Sequence, residues 1–455
     1  MASAGRGTIW PMAVLTSLFF MWGFITVLND VLVPHWKTLF DLSYAQSLLV
    51  QFCFFGAYFT GSLAYWSWSK AWGDPIQRIG YKRGMMAGLL ISALGCALFA
   101  PASLLHSYAA HLVALFILGL GFTVLQIAAN PFVAIIGPSQ GASSRLNLAQ
   151  AFNSLGTTLA PLIGGALIFE QAAPEAAVRL PYLGLAAILL IIAMLVWRTS
   201  LPEPPKHTSM ARSNALRFPK LRWGMLASFC YVGAEGAIGS LIISFLGLPA
   251  ILGLSEGDAK HYLSLYWGGA MTGRFLGAIA LSRSMAGPRR SIFMMLLAIG
   301  MFALLFALNA SDRFQIQHIW PMGVLIIANM LAFVLAGPNP SRALGFFAVA
   351  AGTLLIVTVG ANGAWAMWAV IAIGLFNSIM WSNIFSLAID GMGNDTSQGS
   401  SLLVMMILGG ALIPPLQGSI ADSAVGLQAS FVVPVACYAY LAWYGFKGSV
   451  NPPIQ

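Results

Sequence analysis

The sequence predicts an all-α integral membrane protein: two six-helix bundles with two extra helices inserted in the second, about 14 transmembrane helices in all. Three observations carry that prediction. Of 455 residues, 59% are hydrophobic and only 8% are charged, whereas an ordinary soluble domain is about 25% charged. Apolar runs of about 20 residues, each enough to cross a bilayer, recur along the whole chain. Between them, lysine and arginine fall in alternate breaks, as loop charge does in multi-pass proteins. Soluble catalysis, nucleic-acid binding and fibrous roles are excluded by this composition, and the formal charge of +9 is a matter of loop position.

Apolar windows read against their polar, proline and glycine breaks place helices at about 9–33, 45–68, 84–102, 108–136, 146–169 and 180–198, a bundle spanning 1–198. The first run is too long for a signal peptide's apolar region and carries Asn29 and Asp30, so it is expected to stay as a retained helix. A cytoplasmic linker follows at 199–221, rich in proline, serine and basic residues. The second bundle, 222–455, is expected to hold spans at about 222–247, 259–282, 289–309, 316–336, 341–360, 362–389, 398–420 and 428–446. Helices are required because every backbone amide in hydrocarbon needs an internal partner, and the runs are twice the length of a barrel strand. Cys53, Cys96, Cys230 and Cys437 lie singly within apolar runs and are read as free thiols.

With the N-terminus in the cytoplasm, seventeen of the 22 basic residues fall inside, and Lys37, Arg179, Lys260 and Arg313 fall outside. Arg274 alone stays within a span. This bias predicts both termini in the cytoplasm.

An internal repeat divides the chain. Gly121–Phe132, GFTVLQIAANPF, resembles Gly374–Phe385, GLFNSIMWSNIF, with Gly, Asn and Phe in register; Ser-Gln-Gly follows each, at 139–141 and 397–399. The offset is about two helices too long for equal bundles, which places an inserted pair at about 289–336. Two related bundles of this kind resemble the parallel-repeat arrangement of major facilitator transporters. The loop Gly73-Asp74-Pro75-Ile76-Gln77-Arg78-Ile79-Gly80-Tyr81-Lys82-Arg83 is similar to that superfamily's G-x-x-x-D-R-x-G-R-R loop, with Gln77 where the acid is usual.

Ionisable and amide side chains inside a membrane are costly and mark candidate functional positions. In the first helix, Trp22, Thr26, Asn29, Asp30 and Val33 share one face by helical spacing. Asn29 suits either ligand binding or a bond between helices; Asp30 suits either proton carriage or contact with water at the outer mouth. Gln51 in the second helix, Thr123, Gln126 and Asn130 in the fourth, and Asn147, Gln150, Asn153 and Thr157 in the fifth add hydrogen-bonding groups that are almost all neutral. Amides both donate and accept, so pairs of them can bracket vicinal hydroxyls. That chemistry suits a sugar and not a phosphate, nucleotide or cationic drug. The second bundle supplies Glu235, Arg274, Trp267, Asn377, Trp381 and Asn383. Glu235 at mid-span must hold a proton or be paired, with Arg274 the candidate counter-ion and a purely structural pair the alternative. Trp22, Trp267 and Trp381 offer ring faces to the C–H side of a pyranose, or pack and anchor like other membrane tryptophans.

SLFFMWGFITVLNDVLVP, GLGFTVLQIAANPFVAIIGP, SRLNLAQAFNSLGT, FCYVGAEGAIGSLI, GGAMTGRFLGA and GLFNSIMWSNIFSLAIDGMG resemble the corresponding helices of the fucose:proton symporter family, which includes the bacterial fucose, glucose/galactose and N-acetylglucosamine permeases. The resemblance implies a major facilitator fold, alternating access and proton-linked monosaccharide uptake. It implies a bacterial inner membrane as the location, Asp30 as proton carrier, and Gln150 and Asn153 as sugar-contacting amides; if Asp30 is not the carrier, Glu235 is next in line. The fucose branch carries glutamate where Gln126 stands, so the glucose/galactose or N-acetylglucosamine branch is the nearer likeness. Ser382 and Asn383 replace that family's usual Pro-Thr, and Trp381 replaces its aromatic. The two helices before 341 are then the extra ones.

The expected function is import of a neutral monosaccharide by proton symport, with no cofactor and no metal and with H+ as coupling ion. Alternatives are Na+ coupling or a fucose-type permease. An integral-membrane enzyme would want a carboxylate pair or a large polar loop, and a sugar sensor would want a signalling domain; neither is legible. The expected partners are the sugar and the lipid bilayer, with no nucleic acid and a monomer as the oligomeric state.

Overall fold

The computed structural model describes residues 6–42, 46, 49–169, 178–201, 214–282, 287–310 and 314–449. All of the regular secondary structure among these residues is helical. In order come α1 (Arg6–Leu39), α2 (Leu49–Trp72), a short α3 (Pro75–Ile79), α4 (Tyr81–Ala97), α5 (Phe99–Leu104), α6 (Tyr108–Ile135), α7 (Ala142–Phe169) and α8 (Arg179–Arg198). After the linker follow α9 (Pro219–Leu246), α10 (Glu256–Ala280), α11 (Gly287–Asn309), α12 (Ile316–Ala336), α13 (Pro340–Gly360), α14 (Gly363–Asn377) and α15 (Met380–Ile389). The chain closes with α16 (Thr396–Met405), α17 (Gly409–Ala421), α18 (Gly426–Ser430), α19 (Val432–Trp443) and a π-helical turn at Tyr444–Gly448. Among the described residues, eleven helical stretches are long and apolar enough to cross a membrane.

Helix ends fall where side chains satisfy the free amides of a first turn. Ser107 opens α6 by accepting from the Ala110 amide at 3.3 Å, and Asn339 opens α13 by accepting from Ser341 and Arg342 at 2.9 and 3.3 Å. Several expected single spans are interrupted. The third breaks at Leu98, between α4 and α5; the stretch 362–389 breaks at Ser378–Ile379; and 398–420 breaks at Met406–Leu408. The basic loop at 73–83 is more than a turn: Asp74 caps α3, and Gly73 and Gly80 on either side have φ of 88° and 92°, a conformation that side chains disfavour.

The chain forms two compact units, and their boundaries differ from a cut at the linker. Unit one comprises Met1–Ile136, Phe152–Phe218 and Gly391–Leu408; unit two comprises Gly137–Ala151, Pro219–Asp390 and Gly409–Gln455. Each thus includes a segment lying outside its own half of the sequence.

Within unit one, α4 packs along α6 and α8, and α2 packs along α6. The α4–α6 contact is backbone on backbone: a Cβ at Gly88 would lie 2.6 Å from the Leu125 nitrogen, and one at Gly121 would lie 2.4 Å from that of Ser92. Small residues allow such approach where the hydrophobic effect supplies no drive between helices. Unit two uses the same device between α9 and α17, where a Cβ on Gly409 would meet the Phe229 carbonyl at 2.0 Å. In contrast, α11 buries only 22% of its most apolar stretch and presents Ile292, Phe293, Leu296 and Ile299 outward. Cys53, Cys96, Cys230 and Cys437 are free thiols.

Candidate functional site

In unit one, α1, α2 and α6 bring polar groups together in an apolar interior. The Trp22 indole donates to the Tyr58 hydroxyl at 3.2 Å, and that hydroxyl also faces Thr26 and Gln126. Gln126 and Asn130, one helical turn apart on α6, are 2% and 0% exposed; neither amide makes a hydrogen bond of good geometry within the protein, Gln126 having only the nearby Tyr58 hydroxyl. A buried amide without a bond costs about 1–3 kcal/mol per unsatisfied group, so two such amides one turn apart are an arrangement that a polar ligand would relieve. Thr123, on the same stripe, is committed to packing instead: its hydroxyl donates to the Gly119 carbonyl at 2.8 Å and lies 3.3 Å from that of Ala57.

Two amides expected at the site are drawn into contacts between helices. Asn29 is fully buried and its oxygen accepts from Tyr182 on α8 at 2.9 Å; Tyr182 in turn stacks on Phe99 at 3.8 Å. The Asn153 amide donates to the Phe19 carbonyl at 3.0 Å, joining α7 to α1. Packing between helices is the alternative that the sequence leaves open for Asn29 and Asn153 alike, and both make such a contact. The side chains of Asp30 and Gln51 lie outside the described residues.

Unit two contains the ionisable cluster. Glu235 and Tyr231, one turn apart on α9, are joined by a hydrogen bond of 2.6 Å from the tyrosine hydroxyl. Arg274 on α10 places its Nη2 at 3.5 Å from the same carboxylate oxygen and at 3.4 Å from the Tyr231 oxygen. Its Nε donates to the Ser378 carbonyl at 3.0 Å, at the break between α14 and α15. Arg274 therefore answers two needs at once, a mid-span carboxylate and a carbonyl that the interrupted helix leaves free.

The remaining predicted residues of this unit divide between packing and availability. Asn377 is fully buried and bonded at each end, donating to Tyr266 at 2.9 Å and accepting from Tyr438. Asn383 donates to the Pro340 carbonyl at 3.2 Å and accepts from Asn147 at 3.5 Å. Both expectations of sugar contact thus meet a tightly bonded amide, because tyrosines and a proline carbonyl reach them first. Trp381 is 6% exposed with its indole N–H unpartnered, and Ser382 and the Gln150 nitrogen are likewise buried without a bond within the protein. Trp267 is half-buried, set edge-on to Tyr266 at 5.1 Å. The repeat-related pair Asn130 and Asn383 share complete burial and differ in bonding, the first open and the second closed.

Sequence reasoning missed the tyrosines. Tyr58, Tyr182, Tyr231, Tyr266 and Tyr438 organise nearly every polar contact above. The available signal was their position inside apolar runs, since a buried phenol must find a partner for its hydroxyl.

A helical membrane protein whose two units each enclose amides, tyrosines and tryptophans, one of them with a carboxylate–guanidinium pair, has the make-up of a solute carrier. The chain belongs to the Major Facilitator Superfamily, whose family model matches residues 12–343. It is 43% identical over 445 residues to the glucose/galactose transporter of Brucella abortus biovar 1 (strain 9-941), covering 96% of this chain and 93% of that one. It is 31% identical to the L-fucose-proton symporter of Escherichia coli (strain K12), covering 97% and 93%. Among solved structures, a crystal structure of the E. coli fucose:proton symporter FucP superposes with a TM-score of 0.73 at 29% identity, covering 97% of this chain and 98% of that one.

Proposed function

We propose that this protein imports a neutral hexose of the glucose/galactose or N-acetylglucosamine class by proton symport with alternating access. Relatives named as a glucose/galactose transporter and as an L-fucose-proton symporter support the sugar class. The observation that carries it is the buried amide pair Gln126 and Asn130, with no hydrogen bond of good geometry within the protein: two NH2 groups with four N–H donors and two carbonyl oxygens, uncharged, complementary to hydroxyls and offering nothing to an ionic load. Glutamine at 126 favours the glucose/galactose or N-acetylglucosamine branch over the fucose branch. Fourteen spans, with α11 and α12 as the inserted pair, both termini in the cytoplasm and the bacterial inner membrane as location, complete the reading.

In this mechanism Asp30 takes the proton, the amides take the sugar, and the loaded carrier then closes outside and opens inside. Glu235 is already matched by Arg274 and Tyr231, which favours Asp30 as the group that changes charge. One charge crossing 100 mV contributes about 2.3 kcal/mol, enough for roughly a 50-fold sugar gradient at 1.4 kcal/mol per tenfold.

The test is counterflow and accumulation in proteoliposomes with an internal pH dye, across glucose, galactose, mannose, fucose and N-acetylglucosamine, with sodium present or absent. Uptake of one hexose with internal acidification, in sodium-free buffer, is expected. Asp30→Asn should abolish accumulation while preserving exchange. Normal accumulation by that variant moves the carrier elsewhere, and uptake that needs sodium and leaves the dye unchanged replaces the coupling ion.

A further inference from the structure

Away from the amides of α6, unit one contains a cavity of about 160 Å³ where the Leu39 end of α1 meets α5, the start of α6 and Val178. Trp36, Phe40, Ser103, His106, His111 and Val178 line it. We infer that this cavity is a second monosaccharide site, separate from Gln126 and Asn130.

The walls define the ligand. Trp36 is 0% exposed, and its indole N–H has no acceptor within the protein; a buried donor left this way calls for an acceptor from a bound molecule. Trp36 and Phe40 stand 5.0 and 6.0 Å from the His111 ring; Trp36 is itself packed against Phe99 and Tyr108, so the half-buried Phe40 is the ring with surface left to lie against the C–H side of a sugar. His111 is held rigidly in this wall, with Nδ1 at 2.9 Å from the Ser107 carbonyl and Nε2 at 3.2 Å from the Ser103 hydroxyl. Among the described lining residues there is no carboxylate, ammonium or guanidinium, and the imidazoles of His106 and His111 as neutral rings can serve an uncharged ligand by hydrogen bonding. The space equals about ten water positions at roughly 15 Å³ each, which suits one hexose and is too small for a disaccharide.

The hexose class rests on the reading under Proposed function, and the experiment separates the two. Full-length protein in lipid nanodiscs is titrated with radiolabelled members of the same hexose panel, and bound sugar per chain is counted for wild type, Trp36→Phe, Val178→Phe and Asn130→Leu. Two equivalents are expected for wild type and one for each variant. Trp36→Phe keeps an apolar ring and removes the donor, while Val178→Phe fills the space without touching a hydrogen bond, so agreement between them excludes a folding artefact. One equivalent in wild type, lost in Asn130→Leu and unchanged in Trp36→Phe and Val178→Phe, overturns the second site and leaves the proposed function standing. One equivalent lost only in the two cavity variants supports this site and overturns the role given to Asn130. No binding of any hexose sinks both.

Discussion

Asp74 is the residue whose setting makes the sharpest prediction. It lies between spans, 7% exposed, with one carboxylate oxygen accepting from Tyr65 at 2.5 Å and from the Ile76 and Gln77 amides, and the other oxygen unpartnered. Burial raises its pKa to about 6, and Asp395 adds to the rise. A carboxyl raised in the folded state binds a proton there that the unfolded chain has already released, so stability falls as pH climbs from about 4 to 6 and levels off above. A shift of this size corresponds to at most about 3 kcal/mol. Thermal unfolding of Asp74→Asn should therefore lack that step, since asparagine still caps α3; a wild-type-like pH slope would refute the assignment. Glu235 and Arg274 give a second test. Removing one member of a buried pair costs about 3–5 kcal/mol, whereas removing both is far milder, so Arg274→Met should be strongly destabilised and Glu235→Gln/Arg274→Met should regain at least half of the loss. Glu235, Arg274, Gln126 and Asn130 were all legible in the sequence because polar atoms in an apolar run are conspicuous. Their bonding was not, since Asn377 and Asn130 look alike until a tyrosine is found beside one of them.

At the scale of elements, hydropathy located the helices and cap chemistry refined their ends. The expectation of 316–336 matches α12 in both bounds, and that of 108–136 overshoots α6 by one residue at its end. What hydropathy could not show were the breaks at Ser378–Ile379 and Met406–Leu408, because a change in backbone path inside an apolar run leaves its apolarity intact. Glycines carry a related ambiguity: position in the sequence does not say which ones touch another backbone. Gly121 does, and Gly300 on α11 meets nothing within 4 Å. Gly121→Leu should then abolish folded protein on fluorescence size-exclusion, with Gly300→Ala neutral or slightly stabilising. Equal yields would contradict the close packing of α4 on α6.

At the scale of the whole molecule, the expected repeat rests on a few shared residues, and the Ser-Gln-Gly after each copy takes different forms, a 3-10 turn at Ser139–Gly141 and part of α16 at 397–399. The two compact units could not be drawn from the linker alone, since Gly137–Ala151 and Gly391–Leu408 are each assigned across the halves. Within unit two, Arg274 touches α9 through Glu235 and the α14–α15 break through Ser378. A planar fork can grip both, whereas an ammonium is a single point of charge. Three rods are thereby pinned at one rivet, and the interrupted span keeps its bend. Arg274→Lys would preserve the ionic match but unpin the bend, and amide exchange around 375–380 would quicken while that of α9 stayed slow.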